Sequence, residues 1–282
     1  MKITNLIENT EGAARCTALH GLSFYIETAN HKILFDAGQN DETLKNARTL
    51  GIDLRQVDVA ILSHGHYDHS GGLLSFSELN PNAKIFMQRT ALGEQFAFDG
   101  EERGYRYIGI DKKLCDLPQV QFVDGGLKID DELSLFTVNA QNRKFPLPST
   151  NKRIMKKIEQ GGKISYIQDD FSHEQSLFIR NGSERVLLSG CAHSGILNIL
   201  EKFIQKFGRE NLPQKVISGF HLMKKTEYSE ADEAEIIEIA QKLLEYPCKF
   251  YTCHCTGEKA YEIMKSVMGE RLSYVRTGEK IE

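Results

Sequence analysis

The sequence predicts an α/β fold, and three observations predict it. Short β-branched runs such as Val57-Asp58-Val59-Ala60-Ile61-Leu62 and Val186-Leu187-Leu188-Ser189 end in polar or glycine-rich turns, as buried strands do. Amphipathic stretches with apolar residues at i, i+3 and i+4 follow several of these runs and read as helices. Histidines gather where the strand-like runs stop, so sheet and chemistry share an edge.

Taken in order, Leu22 to Glu27 alternates like a half-buried strand. Lys32 to Asp36 reads as its hairpin partner, with Ala29-Asn30-His31 between them. Asp36-Ala37-Gly38 ends that strand with a carboxylate, either a plain turn residue or an acceptor that orients a ligating histidine. Asp41 to Leu50 predicts a helix with Leu44, Ala47 and Leu50 inward, stopped by Gly51. A helix at Leu73 to Leu79 and a strand at Lys84 to Met87 follow, then strands at Val120 to Val123 and Leu133 to Val138. Asn142 to Pro148 reads as a loop, and Asn151 to Glu159 as a basic helix with Ile154, Met155 and Ile158 on one side. Ser176 to Ile179 and Val186 to Ser189 form a hairpin turning at Asn181-Gly182. Helices are expected from Ile196 to Phe207 and from Glu230 to Leu244. Ser229 caps the second of these, and its apolar face includes Ala234, Ile237 and Leu244. Strands at Val216 to His221 and from Phe250 precede a last helix, Glu258 to Met268.

The 282 residues suffice to bury a large core, and no linker divides them, so one domain is expected over 1–282. Its least regular part, around 88–168, is expected to be an insertion that selects substrate. Arg143, Lys144, Lys152, Arg153, Lys156 and Lys157 concentrate positive charge there, either as a solvated face or as a rim for an anionic substrate. A net charge of -4 gives no case for a nucleic-acid partner. No apolar run approaches the roughly 18 residues of a bilayer span. No signal-type apolar core follows Met1, which predicts a cytoplasmic protein, and the six scattered cysteines are expected to be reduced. No feature specifies an oligomeric state.

The chemistry centres on Ser63-His64-Gly65-His66-Tyr67-Asp68-His69-Ser70-Gly71-Gly72. Three imidazoles and a carboxylate leave the end of a strand together. His64 and His66, two apart in extended chain, point to one side and can share an ion. Asp68 and His69 follow where a turning loop aims them at a second. Neutral imidazole with carboxylate suits zinc, and also iron, manganese or nickel, rather than a thiolate copper site or a calcium cage. His193, His221 and His254 each sit beyond a strand-like run and extend the pattern, whereas His20, His31 and His173 lack that setting.

The His64-x-His66-x-Asp68-His69 motif after a strand resembles the signature of the metallo-β-lactamase superfamily. Further stretches are similar to the branch that includes archaeal dihydropterin ribofuranosylaminobenzene phosphate synthases: His20-Gly21-Leu22-Ser23, Leu34-Phe35-Asp36-Ala37-Gly38, Gly190-Cys191-Ala192-His193-Ser194-Gly195, Gly219-Phe220-His221-Leu222 and His254-Cys255-Thr256-Gly257. The resemblance implies a four-layer αβ/βα sandwich holding one or two divalent ions. It assigns His64, His66 and His193 to one ion and Asp68, His69 and His254 to the other. One departure stands out: where the superfamily usually has Gly-Asp, with the aspartate bridging two metals, this chain has Gly190-Cys191. Cys191 either ligates as thiolate or leaves the bridge missing. His221 either replaces His254 as ligand or lines the substrate pocket.

The expected activity is metal-dependent hydrolysis of a small anionic substrate, possibly phosphorylated, with metal-activated water as nucleophile. Asp68 is the expected base, ligand or both, and His221 a further catalytic candidate. The alternative is a synthase joining a pterin methyl carbon to an arylamine, with a diphosphate leaving. A flavin-linked redox role expects a flavin domain and a glutamate where Tyr67 stands.

Overall fold

Residues alternate between two faces along the central strands, and that period of two builds the layers. The computed structural model describes residues 1–13 and 15–281. One seven-stranded sheet runs, in spatial order, Lys280–Ile281, Lys2–Ile7, Ser23–Glu27, Lys32–Phe35, Val59–Ile61, Lys84–Gln88 and Val120–Val123. The other runs Leu272–Tyr274, Lys249–Thr252, Lys215–Ile217, Glu184–Leu188, Ser176–Asn181, Leu133–Phe136 and Leu127–Lys128. Ile33, Phe35, Val59 and Ile61 of the first sheet meet Leu177, Ile179, Val186 and Leu188 of the second in one buried cluster. The intervening residues face outward. Leu34 and Ala60 pack with Ala47, Leu73 and Phe76 of the helices Glu42–Thr49 and Leu73–Leu79. Phe178 and Leu187 pack under the helices Ile196–Phe207, Glu230–Leu243 and Glu258–Met268. The fold is a four-layer αβ/βα sandwich.

Each sheet is antiparallel on one side and parallel on the other. Lys32–Phe35, Val59–Ile61 and Lys84–Gln88 are parallel, as are Glu184–Leu188, Lys215–Ile217 and Lys249–Thr252. Parallel strands deliver their carboxyl ends to one edge, the usual place for a ligand crevice. Asp36, the His64 loop, Cys191, His221 and His254 all lie just beyond such ends.

In sequence between Lys84–Gln88 and Ser176–Asn181, the chain adds a four-stranded sheet of Lys163–Gln168, Ile154–Gln160, Gln95–Phe98 and Tyr105–Tyr107. The basic helix expected at Asn151 to Glu159 is corrected here: Ser149–Arg153 forms a 3-10 turn and Ile154–Gln160 a strand. That strand pairs on both sides, with Gln95–Phe98 and with Lys163–Gln168 across Gly161-Gly162. Ala97, Ile108, Ile154 and Phe171 seat this sheet beside Tyr67 of the metal loop. The helix at Glu230–Leu243 has the expected N-cap at Ser229, which forms a capping box with Asp232, but its buried face is Ile236, Ala240 and Leu243. Ala234 and Leu244 are exposed. Adjacent isoleucines at 236 and 237 allow either phase, and packing with the neighbouring helices selects one. Among the described residues no helix is long and apolar enough to cross a membrane.

At the opposite end of the sandwich, His31 joins the two sheets. Its Nδ1 lies 2.5 Å from Asp58 and its Nε2 2.7 Å from Asp130, which precedes the strand Leu133–Phe136. Burial alone would lower the imidazole, but Asp58 and Asp130 raise it above its ordinary value of 6.5. A group raised on folding stabilises fully below its unfolded value and less as pH rises through the folded one. The protein is therefore expected to lose about 1 kcal/mol above neutral pH, the carboxylates being partly exposed. His31→Gln should flatten that slope in denaturant titrations between pH 5 and 9; an unchanged slope would refute the clamp.

Candidate metal centre

The loop after Val59–Ile61 is fixed by one buried carboxylate. Asp36 accepts from the Ser63 amide at 2.7 Å, from Ser63 Oγ at 2.7 Å and from His69 Nδ1 at 2.6 Å. Since Ser63 Oγ donates to Asp36, it accepts from His64 Nδ1 at 2.8 Å. One acceptor thus sets both imidazoles in the tautomer that leaves Nε2 free to bind. Gly190 is needed beside them, because a Cβ there would lie 2.2 Å from Ser63 Oγ.

The two distant histidines are held by a repeated device. Asn151 donates to the His193 carbonyl and accepts from its Nδ1 at 2.8 Å, while buried Glu174 accepts from the His193 amide. Asn9 and Glu8 treat the carbonyl, ring and amide of His254 in the same way. Phe171 stacks on the His193 ring at 4.8 Å. The backbone is left-handed at Asp36, Ala192, His221 and His254, with φ between 47° and 57°. Non-glycine residues held in that region cost free energy, and such strain concentrates at functional sites.

All the residues singled out in the sequence converge. The His64 ring centroid lies 4.5 Å from His66 and 4.9 Å from His193. Asp68 Oδ2 lies 3.8 Å from His69 Nε2 and 3.5 Å from His254 Nε2. Cys191 Sγ lies 3.2 Å from His69 Nε2. His221 packs 4.1 Å from the His193 ring. The Nε2 atoms of His64, His66 and His193 are buried and bond to nothing else in the protein. Burial and neighbouring imidazoles hold His64 and His193 well below the usual range and His66 down to about 3, so all three are neutral donors. Burial opposes ionisation of Asp68, yet His69, His20 and His254 hold its carboxyl well below the usual range. Burial would lower His69, but Asp36 and Asp68 raise it to about 9. Three neutral imidazoles, a thiol and an ionised carboxylate fit a divalent cation, and His69 would give up its proton to ligate.

Above the centre opens a cavity of about 1350 Å³. Its wall carries Arg103, Arg106, Lys152, Arg153, Lys224 and Lys225 against three carboxylates, Asp68, Asp99 and Asp232. Of the basic residues expected at a rim, only Lys152 and Arg153 line it. Lys144, Lys156 and Lys157 are engaged with Glu201, Asp170 and Glu94, and Arg143 with the Asp170 carbonyl.

The Metallo-beta-lactamase superfamily model matches residues 16–131. A crystal structure of Tm1679, described as a metal-dependent hydrolase of the β-lactamase superfamily, superposes with a TM-score of 0.80 at 29% identity, covering 100% of this chain and 98% of that one. Residues 16–131 thus match the metallo-β-lactamase superfamily, and the whole chain shares the fold of that solved hydrolase. Two relatives from Methanocaldococcus jannaschii extend the similarity along the sequence. One is uncharacterised, 28% identical over 90% of either chain. The other is a 7,8-dihydropterin-6-methyl-4-(β-D-ribofuranosyl)-aminobenzene-5'-phosphate synthase, 29% identical over 93% of this chain and 90% of its own.

Within this superfamily fold, Cys191 sits where donor atoms meet. It falls within 4.8 Å of the donors of His64 and His193, and likewise of those of His69 and His254. Sequence reasoning passed over His20, whose Nε2 lies 3.2 Å from Asp68. It also passed over the clamps Asn9, Asn151, Glu8 and Glu174, which carry no local signal. His173 is buried against His66 and accepts from the Gly65 amide, a support for the loop.

Proposed function

We propose that the protein is a metal-dependent hydrolase of a small anionic substrate. The observation that carries this reading is the set of three unpartnered, buried Nε2 atoms, those of His64, His66 and His193, under a predominantly cationic wall. His64, His66 and His193 would hold one ion, and Asp68, His69 and His254 a second, with Cys191 between them. When bound, such ions lower the pKa of a coordinated water to about 7 and polarise the bond under attack.

The protein's own groups do the rest. Lys152 attracts the anion towards the histidines, while Arg106, paired with Asp99, shapes the wall beside it. Asp68, kept ionised, accepts a hydrogen bond from the attacking water and aligns it. His20, half exposed beside Asp68, relays the proton to solvent. His221 contacts the substrate from the side of His193. Residues around 88–168, which supply Phe98, Tyr105 and Ile154 to the cavity wall, select among substrates.

The 29% identity with the ribofuranosylaminobenzene phosphate synthase supports a second reading, a transferase that joins a pterin to an arylamine. Protein purified without chelator should carry zinc or another divalent ion by elemental analysis. It should hydrolyse members of a phosphoester and lactone panel, lose that activity to chelator and regain it with zinc. Coupling of a pterin diphosphate to an arylamine without hydrolysis of the panel would overturn the hydrolase in favour of the synthase.

A further inference from the structure

Cys255 has no part in the scheme above, yet it is buried at the cavity floor beside Cys191. The donor atoms of Cys191, His221 and Cys255 all lie within 4.8 Å of one another. We infer that these three side chains form a thiophilic cation site, separate from the imidazole sites and joined to them through the Cys191 sulfur.

Three observations carry this. His221 Nδ1 is buried and has no hydrogen-bond partner in the protein, although its backbone is held in the left-handed region at φ 49°. Strain of that kind persists only where the surroundings impose it, and here it holds the His221 ring beside two sulfurs. Next, the chain leaves the strand Lys215–Ile217 through Gly219, where a Cβ would lie 2.5 Å from Cys255 Sγ. Only glycine lets that segment close over the sulfur. Last, Cys255 Sγ donates to the Cys191 carbonyl at 3.6 Å, which ties the two cysteine loops together.

Two thiolates and one imidazole form a Cys₂His set, which zinc accepts with a fourth position left open. That position would face the cavity, since Cys191, His221 and Cys255 all line it. Two thiolates also balance a divalent charge, so an ion enters this buried place without a net charge to solvate. Soft sulfur ligands favour zinc or cadmium over magnesium or manganese. The site does not depend on what the enzyme hydrolyses.

Cadmium is the probe. Apo-protein prepared with chelator and reductant is titrated with cadmium alone, and bound metal and sulfur-to-cadmium absorption are read in wild type and in Cys255→Ser. The variant is expected to hold one ion fewer and to show about half the absorption, because one of two sulfur ligands is gone. Equal metal content and equal absorption in the two proteins would overturn the site. Should Cys255→Ser not fold, alkylation of wild type mapped by mass spectrometry decides. Cadmium should protect both Cys191 and Cys255; unprotected Cys255, or a Cys191–Cys255 disulfide in the reduced preparation, overturns the inference. None of these readings uses turnover, so the hydrolase proposal stands or falls separately.

Discussion

His66→Ala is expected to abolish metal binding at the first cluster and to lower turnover by about 10³ or more, the several kcal/mol a metal ion contributes. The ring is 4% exposed, and its Nε2 has no partner in the protein. Its centroid lies 4.7 Å from His193 and 4.5 Å from His64, so removing it leaves two imidazoles to hold the ion. The loop itself should survive, because Asp36, Ser63 and His173 fix it through other atoms. Bound metal and turnover should therefore fall together while far-ultraviolet dichroism stays unchanged. Retained turnover would mean that the chemistry does not occur at these histidines.

The legible part of the site is its local part. His64, His66, Asp68 and His69 fall within six positions of sequence, and a strand end brings them together without help from elsewhere. Strand ends also exposed His193, His221 and His254, because parallel strands must finish on one edge. The clamps were hidden for the opposite reason. Asn9 reaches His254 across 245 positions and Asn151 reaches His193 across 42, and an asparagine in a loop looks the same with or without a partner. The misread segment from Asn151 to Glu159 has its own cause. Ile154 and Ile158 share a face whether the period is 3.6 or 2, so their spacing does not separate helix from strand. Gly161 and Gly162, both at positive φ, form a two-residue hairpin loop that would have decided it. The strand Lys2–Ile7 was not legible because every residue after Lys2 is buried, so no polar alternation marks it.

Asp36→Asn should weaken metal binding about 10- to 100-fold, the range for groups that orient a ligating histidine. Asp36 is fully buried and serves three donors with two oxygens: Oδ1 takes the Ser63 amide, and Oδ2 takes both Ser63 Oγ and His69 Nδ1. Asparagine keeps the shape and one acceptor but turns the other oxygen into an N–H that opposes Ser63 or His69. The His69 ring then loses its tautomer, and through Ser63 the His64 ring loses its anchor, so both halves of the centre loosen at once. Asp36→Ala goes further. It strands a raised imidazole and a serine in a dry interior, and breaking a buried pair of this kind costs about 3–5 kcal/mol. Alanine also fits the left-handed backbone at φ 57° less readily than aspartate does. The order expected in thermal melts is wild type, then Asn, then Ala, with metal affinity measured by competition falling already at Asn. If Asp36→Asn bound metal as tightly as wild type, the carboxylate would be holding the sheet edge together and nothing more.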